Sequence, residues 1–405
     1  MPKTYEISKQ QLGQFYTKNT TYILQGFGKF VKNKNITDPF AGAGDLLKWA
    51  KTNGASSLIG YDIDKTKTDN ELIFLRDSLQ NPKEYKFVLT NPPYLYQNKM
   101  KNKNLLTSSK HTDLYQLSLE KIMNSEEGIA IVPVNFLCAE NSKYIRELFL
   151  AKFEIKKANY FSEPVFEDTT YNVVVFYYKK KKRVANKMAI DFKIYPQNKC
   201  SKIILEQKYN WQIGGEFLAK INACSNKLQI RRLEEKDLQS GDCAIKAAYN
   251  NLNQVRKFYV SREFLSKIKK NIVILKAIDS GSEHGKICLE DIRKYNLDAL
   301  ISIKTSRHQI QLLFPETVSV REQEKIIELF NREMEEMRNR YHSLFMTNYR
   351  DKGRKRISFW FAYRLVSYLY NQRETAAGNF LPVHARELGI PIYGEEWFRQ
   401  MLGNG

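Results

Sequence analysis

Asn35-Ile36-Thr37-Asp38-Pro39-Phe40-Ala41-Gly42-Ala43-Gly44-Asp45-Leu46-Leu47 runs from a short apolar stretch, through a turn built of proline and glycine, into a helical pattern. Roughly 20 residues on, the apolar stretch Leu58-Ile59-Gly60-Tyr61-Asp62-Ile63-Asp64 ends on acidic residues. Strand, glycine-rich turn, helix and strand in that order read as a βαβ unit, which requires a parallel sheet. Such a sheet takes its ligands beyond the carboxyl ends of its strands, so Asp38 and Asp62 are expected there.

Working outward, the same rhythm continues. Lys86 to Thr90, Gly128 to Val132 and Val173 to Tyr178 read as further strands. Asp113 to Asn124 reads as an amphipathic helix behind a Thr112 or Asp113 cap. From residue 226 the alternation fades into Lys- and Arg-rich mixed segments. Apolar periodicity there predicts helices over Ser319 to about Asn348 and Ser358 to Asn371. The expectation is an α/β domain over 1–225 and a mixed α+β domain over 226–405.

Composition narrows the partners. The chain of 405 residues has 65 Lys plus Arg against 44 Asp plus Glu, a net charge of +21. That surplus repels itself unless a polyanion relieves it, and nucleic acid is the expected polyanion. There is no apolar run long enough to cross a bilayer and no leader pattern, so a cytoplasmic protein without a membrane partner is expected. Cys138, Cys200, Cys224, Cys243 and Cys288 are widely spaced, which predicts neither zinc nor disulfides.

Asn91-Pro92-Pro93-Tyr94 directly follows the apolar Phe87-Val88-Leu89 and carries the sharpest chemistry. An exocyclic ring amine is a poor nucleophile because its lone pair is delocalised. Two hydrogen-bond acceptors, the Asn91 carboxamide and the Pro92 carbonyl, can draw that nitrogen into a pyramidal shape without a titratable base. Successive prolines stiffen the corner, and Tyr94 offers a flat face for an extruded base. Read blandly, the same four residues are a capped Pro-Pro turn. Asp62 suits the two hydroxyls of a ribose, and with no basic cluster for a pyrophosphate a nucleoside-type cofactor fits. Asp77, after Leu75-Arg76, stands where a third strand ends; a helix cap explains it equally well.

These residues in this order resemble the gamma-class adenine amino-methyltransferases of restriction-modification systems. The resemblance extends through Gln11 to Thr17, Asp113-Leu114-Tyr115, Ile131 to Leu137, Val165-Phe166 and Thr170 to Val175. It implies a Rossmann-like S-adenosylmethionine-dependent methyltransferase domain followed by a C-terminal target-recognition domain. It also implies transfer of a methyl group to N6 of an adenine flipped from double-stranded DNA, with a cognate restriction endonuclease acting separately and no metal. S-adenosyl-L-methionine would be held by Thr17, Asp38, Phe40, Gly42, Gly44, Asp62, Ile63, Asp77 and Pro93. Asn91, Pro92 and Tyr94 would act on the base, with Phe166 as a second stacking wall; an ordinary core phenylalanine is the other reading of Phe166. Lys18 stands where the family often has proline, and Ser78 where it has an apolar residue beside the cofactor's adenine.

Three basic groups suit phosphates or, equally, solvent: Lys99, Lys101, Lys103 and Lys110 after Tyr94; Lys179 to Arg183 on a loop read as facing DNA; and Arg350, Lys352, Arg354, Lys355 and Arg356 between the last two helices. Rival readings are an enzyme for structured RNA, a protein-glutamine methyltransferase and a catalytically dead DNA-binding module. The size of the C-terminal domain weighs against the first, the net charge against the second, and the intact motif residues against the third.

Overall fold

A computed structural model describes residues 17, 19–96, 110–166, 172–279, 286–348 and 354–377. Nine strands form one sheet: β1 (Asn35–Asp38), β2 (Ser57–Asp62), β3 (Ile73–Leu75), β4 (Tyr85–Thr90), β5 (Ser125–Pro133), β6 (Phe153–Phe161), β7 (Val173–Lys180), β8 (Lys187–Tyr195) and β9 (Lys199–Glu206). Their spatial order is β3-β2-β1-β4-β5-β7-β6-β8-β9. β3, β2, β1, β4 and β5 are parallel neighbours, while β7 runs antiparallel between β5 and β6. The ends of β1, β2 and β4 thus share one edge with the start of β7. This is a Rossmann-like arrangement of the α/β class.

All five strands read from sequence are present. β6, β8 and β9 extend the sheet where no strand was expected. Their alternation is clear in β8, whose Met188, Ile190 and Phe192 are buried between exposed or half-buried neighbours.

Among the described residues seven helices have eight residues or more: α1 (Asp45–Thr52), α2 (Leu114–Lys121), α3 (Lys143–Lys152), α4 (Gly215–Ala223), α5 (Arg262–Lys269), α6 (Val320–Tyr341) and α7 (Phe359–Ala377). α2 starts where expected, with Asp113 and Gln116 forming a reciprocal capping box. α6 starts on a Ser319/Glu322 box and stops at Tyr341, seven residues before the expected end near Asn348, because His342 turns left-handed (φ 52°).

The remaining strands, short except for the ten-residue β11 and β12, build three small sheets: β10 (Arg231–Arg232), β11 (Ser240–Tyr249), β12 (Asn251–Val260), β13 (Val273–Lys276), β14 (Ile278–Asp279), β15 (Cys288–Asp291), β16 (Ala299–Ile301), β17 (Gln309–Leu313), β18 (Thr347–Asn348) and β19 (Lys355–Arg356). Their orders are β10-β17-β13-β15, β12-β11-β16 and β14-β19-β18. A second core forms under α6 and α7 from residues such as Leu275, Ile310, Phe330, Met334 and Leu365. Phe217 and Ile221 of α4 belong to it, so this core begins before residue 226.

Candidate active site

β1 ends on Asp38, which is buried. Its Oδ1 accepts the backbone N–H of Phe40 (3.1 Å) and the Thr90 hydroxyl (2.9 Å), which ties the ends of β1 and β4 together. Its Oδ2 is buried with no donor among the described residues. Burial pushes this carboxyl up to about 7, and the bonds from Phe40 and Thr90 only partly oppose the rise. The turn after it brings Gly42 to φ 53° and Gly44 to φ 75°, conformations that favour glycine. Gly42 donates its N–H to Asp62 Oδ2 at 2.7 Å, and the Asp64 N–H reaches Asp62 Oδ1 at 2.8 Å. Asp62 is therefore aimed by backbone, with further lone pairs left for a hydroxyl donor.

These ends surround an open cavity. Thr17, Asp38, Phe40, Gly42, Asp62, Ile63, Asp77 and Pro93 all line it, as does Asn91. Gly44 does not: it is the left-handed N-cap of α1, and a Cβ there would lie 3.1 Å from Ile73. Asp77 lines the cavity, and its Oδ1 accepts the N–H groups of Leu79 (3.0 Å) and Gln80 (3.1 Å), so it caps a turn rather than the helix that was the other reading.

Buried Ser78 is part of the wall, and the apolar surface it lacks comes from Leu79, Leu114 and Ile63. Ile63 is 59% exposed, so its side chain is open to an apolar ligand face. Sequence reading missed Asp45, Arg76 and Leu114 in this wall. Arg76 has no motif of its own. Its Nε and Nη2 hold the Asn81 carbonyl, and its guanidinium lies 5.6 Å from the Tyr61 ring centroid.

A methyl-donor nucleoside fits this set of residues. An uncompensated buried carboxylate oxygen suits a cationic group, an oriented Asp62 suits ribose hydroxyls, and the exposed Ile63 suits an apolar purine face.

At the end of β4 the Asn91 amide nitrogen donates to Thr17 Oγ1 (3.0 Å), which fixes the direction of the carboxamide. The Tyr94 hydroxyl donates to Asn91 Oδ1 and also lies 2.8 Å from the Ile131 carbonyl oxygen. Tyr94 is only 2% exposed, and its ring meets Phe166 at a 6.3 Å centroid separation with planes at 63°. Tyr115 closes the other side at 6.3 Å and 87°. Phe166 is thus brought to Tyr94 as expected, but edge-on. The two rings are in contact rather than forming parallel walls, and Tyr94 must turn before a planar base can stack on it.

Two further expectations change. Lys179 to Arg183 do not face the cavity: β7 is antiparallel, so its end pairs with the start of β5 at the opposite edge of the sheet, where Lys179 lies 3.8 Å from Glu127. Lys355 and Arg356 form β19, and Lys355 lies beside the buried Tyr160 near the end of β6, on the same edge as Asn91. Lys99, Lys101, Lys103, Arg350 and Lys352 lie outside the described residues, as do residues 11–16 and Lys18. Lys110 sits 5.1 Å from the Tyr144 ring centroid. Among the described residues no cluster of His, Cys, Asp or Glu is arranged to hold a metal, and no helix is long and apolar enough to cross a membrane.

Residues 2–166 match the family model of the Eco57I restriction-modification methylases, a span that contains the whole cavity and the Asn91 corner. No curated protein matches the sequence. Among solved structures, the chain is similar to the type IIG restriction endonuclease BpuSI, with 12% identity and a TM-score of 0.41 over 97% of this chain and 64% of that one. It is also similar to the type I restriction enzyme EcoKI M protein, with 14% identity and a TM-score of 0.37 over 64% of this chain and 65% of that one. A type I restriction-modification methyltransferase subunit from Streptococcus thermophilus gives 17% identity and a TM-score of 0.33 over 45% of this chain and 49% of that one. The chain therefore spans less than two thirds of each of these neighbours.

Proposed function

We propose that this protein transfers a methyl group from S-adenosylmethionine to the N6 amino group of an adenine flipped out of duplex DNA, as the modification enzyme of a restriction-modification system. The observation that carries the proposal is that Asn91 lines the same cavity as Asp38, Asp62 and Ile63. The match to a restriction-modification methylase family and the +21 charge support it.

When bound, the cofactor supplies a methyl group on a cationic sulfur. Thr17 holds the Asn91 amide so that its oxygen is directed at the substrate amine. Tyr94 releases that oxygen and turns its ring onto the base. Asn91 Oδ1 and the Pro92 carbonyl then accept the two amino hydrogens as the nitrogen becomes pyramidal, and the surplus proton leaves to water after transfer. Asp38 offsets the positive charge of the cofactor, and Asp62 accepts from its ribose. Phe40, Gly42, Asp77 and Pro93 shape the rest of the cradle.

The test is Asn91→Ala, with labelled methyl transfer measured on duplex DNA and on structured RNA while cofactor binding is followed by calorimetry. Transfer to DNA should fall by about 10²- to 10³-fold, the usual loss for one oriented polar group, with binding intact. A near wild-type rate with intact binding overturns the chemistry. Transfer to RNA but not to DNA overturns the substrate.

A further inference from the structure

β11 and β12 form a hairpin whose two faces differ. On one face Ile245, Ala247 and Val260 pack against Phe264 and Ile268 of α5. On the other, Lys246 stands directly opposite Lys257, Ala244 opposite Tyr259 and Ala248 opposite Val255. Ala248 is covered, but Lys246 and Lys257 are exposed, Val255 is 45% exposed and Tyr259 59%.

Like charges placed directly across a strand pair repel each other. No described carboxylate forms an ion pair with either lysine. Lysines commonly guard the open edge of a sheet, which would explain Lys257 on the outer strand β12. It does not explain Lys246, because β11 lies between β12 and β16.

The ribbon is also held still. Asn250 at its tip is left-handed (φ 70°), donates its N–H to the Ile301 carbonyl (2.9 Å) and accepts the Ser306 hydroxyl (2.7 Å). A fixed ribbon with paired cations, an exposed phenol and an exposed valine offers charge for phosphates and apolar surface for base edges.

We propose that this face enters the major groove of duplex DNA and reads sequence beside the modified base. Lys246 and Lys257 engage phosphates; Tyr259 and Val255 contact base edges. A two-stranded ribbon has the right width for that groove. This inference rests on the DNA reading given above.

The test uses the full chain in three forms: wild type, Lys246→Gln with Lys257→Gln, and Tyr259→Ala. Binding to a fluorescent random-sequence duplex is followed across a salt series, cofactor binding is titrated, and methylated sites on genomic DNA are mapped. The double variant should lose about 1.8 from the slope of log affinity against log salt, about 0.9 for each phosphate contact, with cofactor affinity unchanged. Tyr259→Ala should change which sequences are methylated. If the wild type methylates DNA while the double variant keeps its affinity and slope, the ribbon proposal is overturned alone. A wild type that neither binds nor methylates DNA overturns the functional reading and the ribbon proposal together.

Discussion

The two ends of one sheet bury a carboxylate in opposite ways. At the edge carrying Asn91, Asp38 keeps one oxygen without a donor, and burial leaves its carboxyl at about 7. At the other edge Glu127 accepts the Lys34 ammonium (2.5 Å) and the Tyr177 hydroxyl (2.5 Å), with Lys179 3.8 Å away. Burial raises the Glu127 carboxyl too, but the bonds from Lys34 and Tyr177 outweigh it and hold it below its usual range. Evidently the fold can satisfy a buried carboxylate with its own residues, and at Asp38 it does not. An incomplete site of this kind costs stability and is tolerated where a ligand completes it.

Replacing each carboxylate should separate these roles. Asp38→Asn should weaken S-adenosylmethionine binding by about 30-fold or more, the equivalent of about 2 kcal/mol for losing one partner of a buried charge contact, while the melting temperature changes little because the amide oxygen still accepts from Phe40 and Thr90. Glu127→Ala should leave cofactor binding unchanged and lower stability by about 1–3 kcal/mol, because the Tyr177 hydroxyl loses its acceptor. Calorimetric titration and denaturant unfolding read the two quantities independently. The reverse pattern would break the comparison.

A pH series sharpens it. Since the ionised form of Asp38 attracts a cationic ligand, affinity should rise about tenfold per unit as pH approaches 7 from below and level off above, with a proton released on binding below 7. Titrations in two buffers of different ionisation heat measure that proton. For folding the signs are opposite at the two edges. The raised Asp38 carboxyl favours the folded state at low pH, and that contribution is lost as pH rises through about 7. The lowered Glu127 carboxyl contributes above the ordinary glutamate range, and that contribution is lost as pH falls below it.

The cavity edge was legible in sequence because strand ends and turn chemistry are local. Asp38, Gly42, Asp62 and Asn91 each follow an apolar run, and a parallel sheet delivers such positions to one edge regardless of the loops between. What was not legible depends on pairing between distant strands. The direction of β7 sends Lys179 to Arg183 to the far edge, and a composition break carries no information about strand direction. The edge-on contact of Tyr94 with Phe166 depends on side-chain packing between segments 72 residues apart in sequence. Arg76 and Leu114 entered the wall through the third dimension alone.

The smallest expected effect tests whether exposure at this edge has the same meaning as the unpaired oxygen. Ile63 and Leu75 are both more than half exposed near the ends of adjacent strands, at 59% and 56%, yet only Ile63 lines the cavity. If Ile63 waits for an apolar face, Ile63→Ser should weaken cofactor binding by about fivefold, on the order of 1 kcal/mol for the part of the side chain that a ligand covers. Stability should barely move, because little of its surface is buried without the ligand. Leu75→Ser should change neither quantity. Equal losses of cofactor affinity in the two variants would mean that the wall follows the strand ends in general rather than Ile63, and the purine would then have to be placed further along β3.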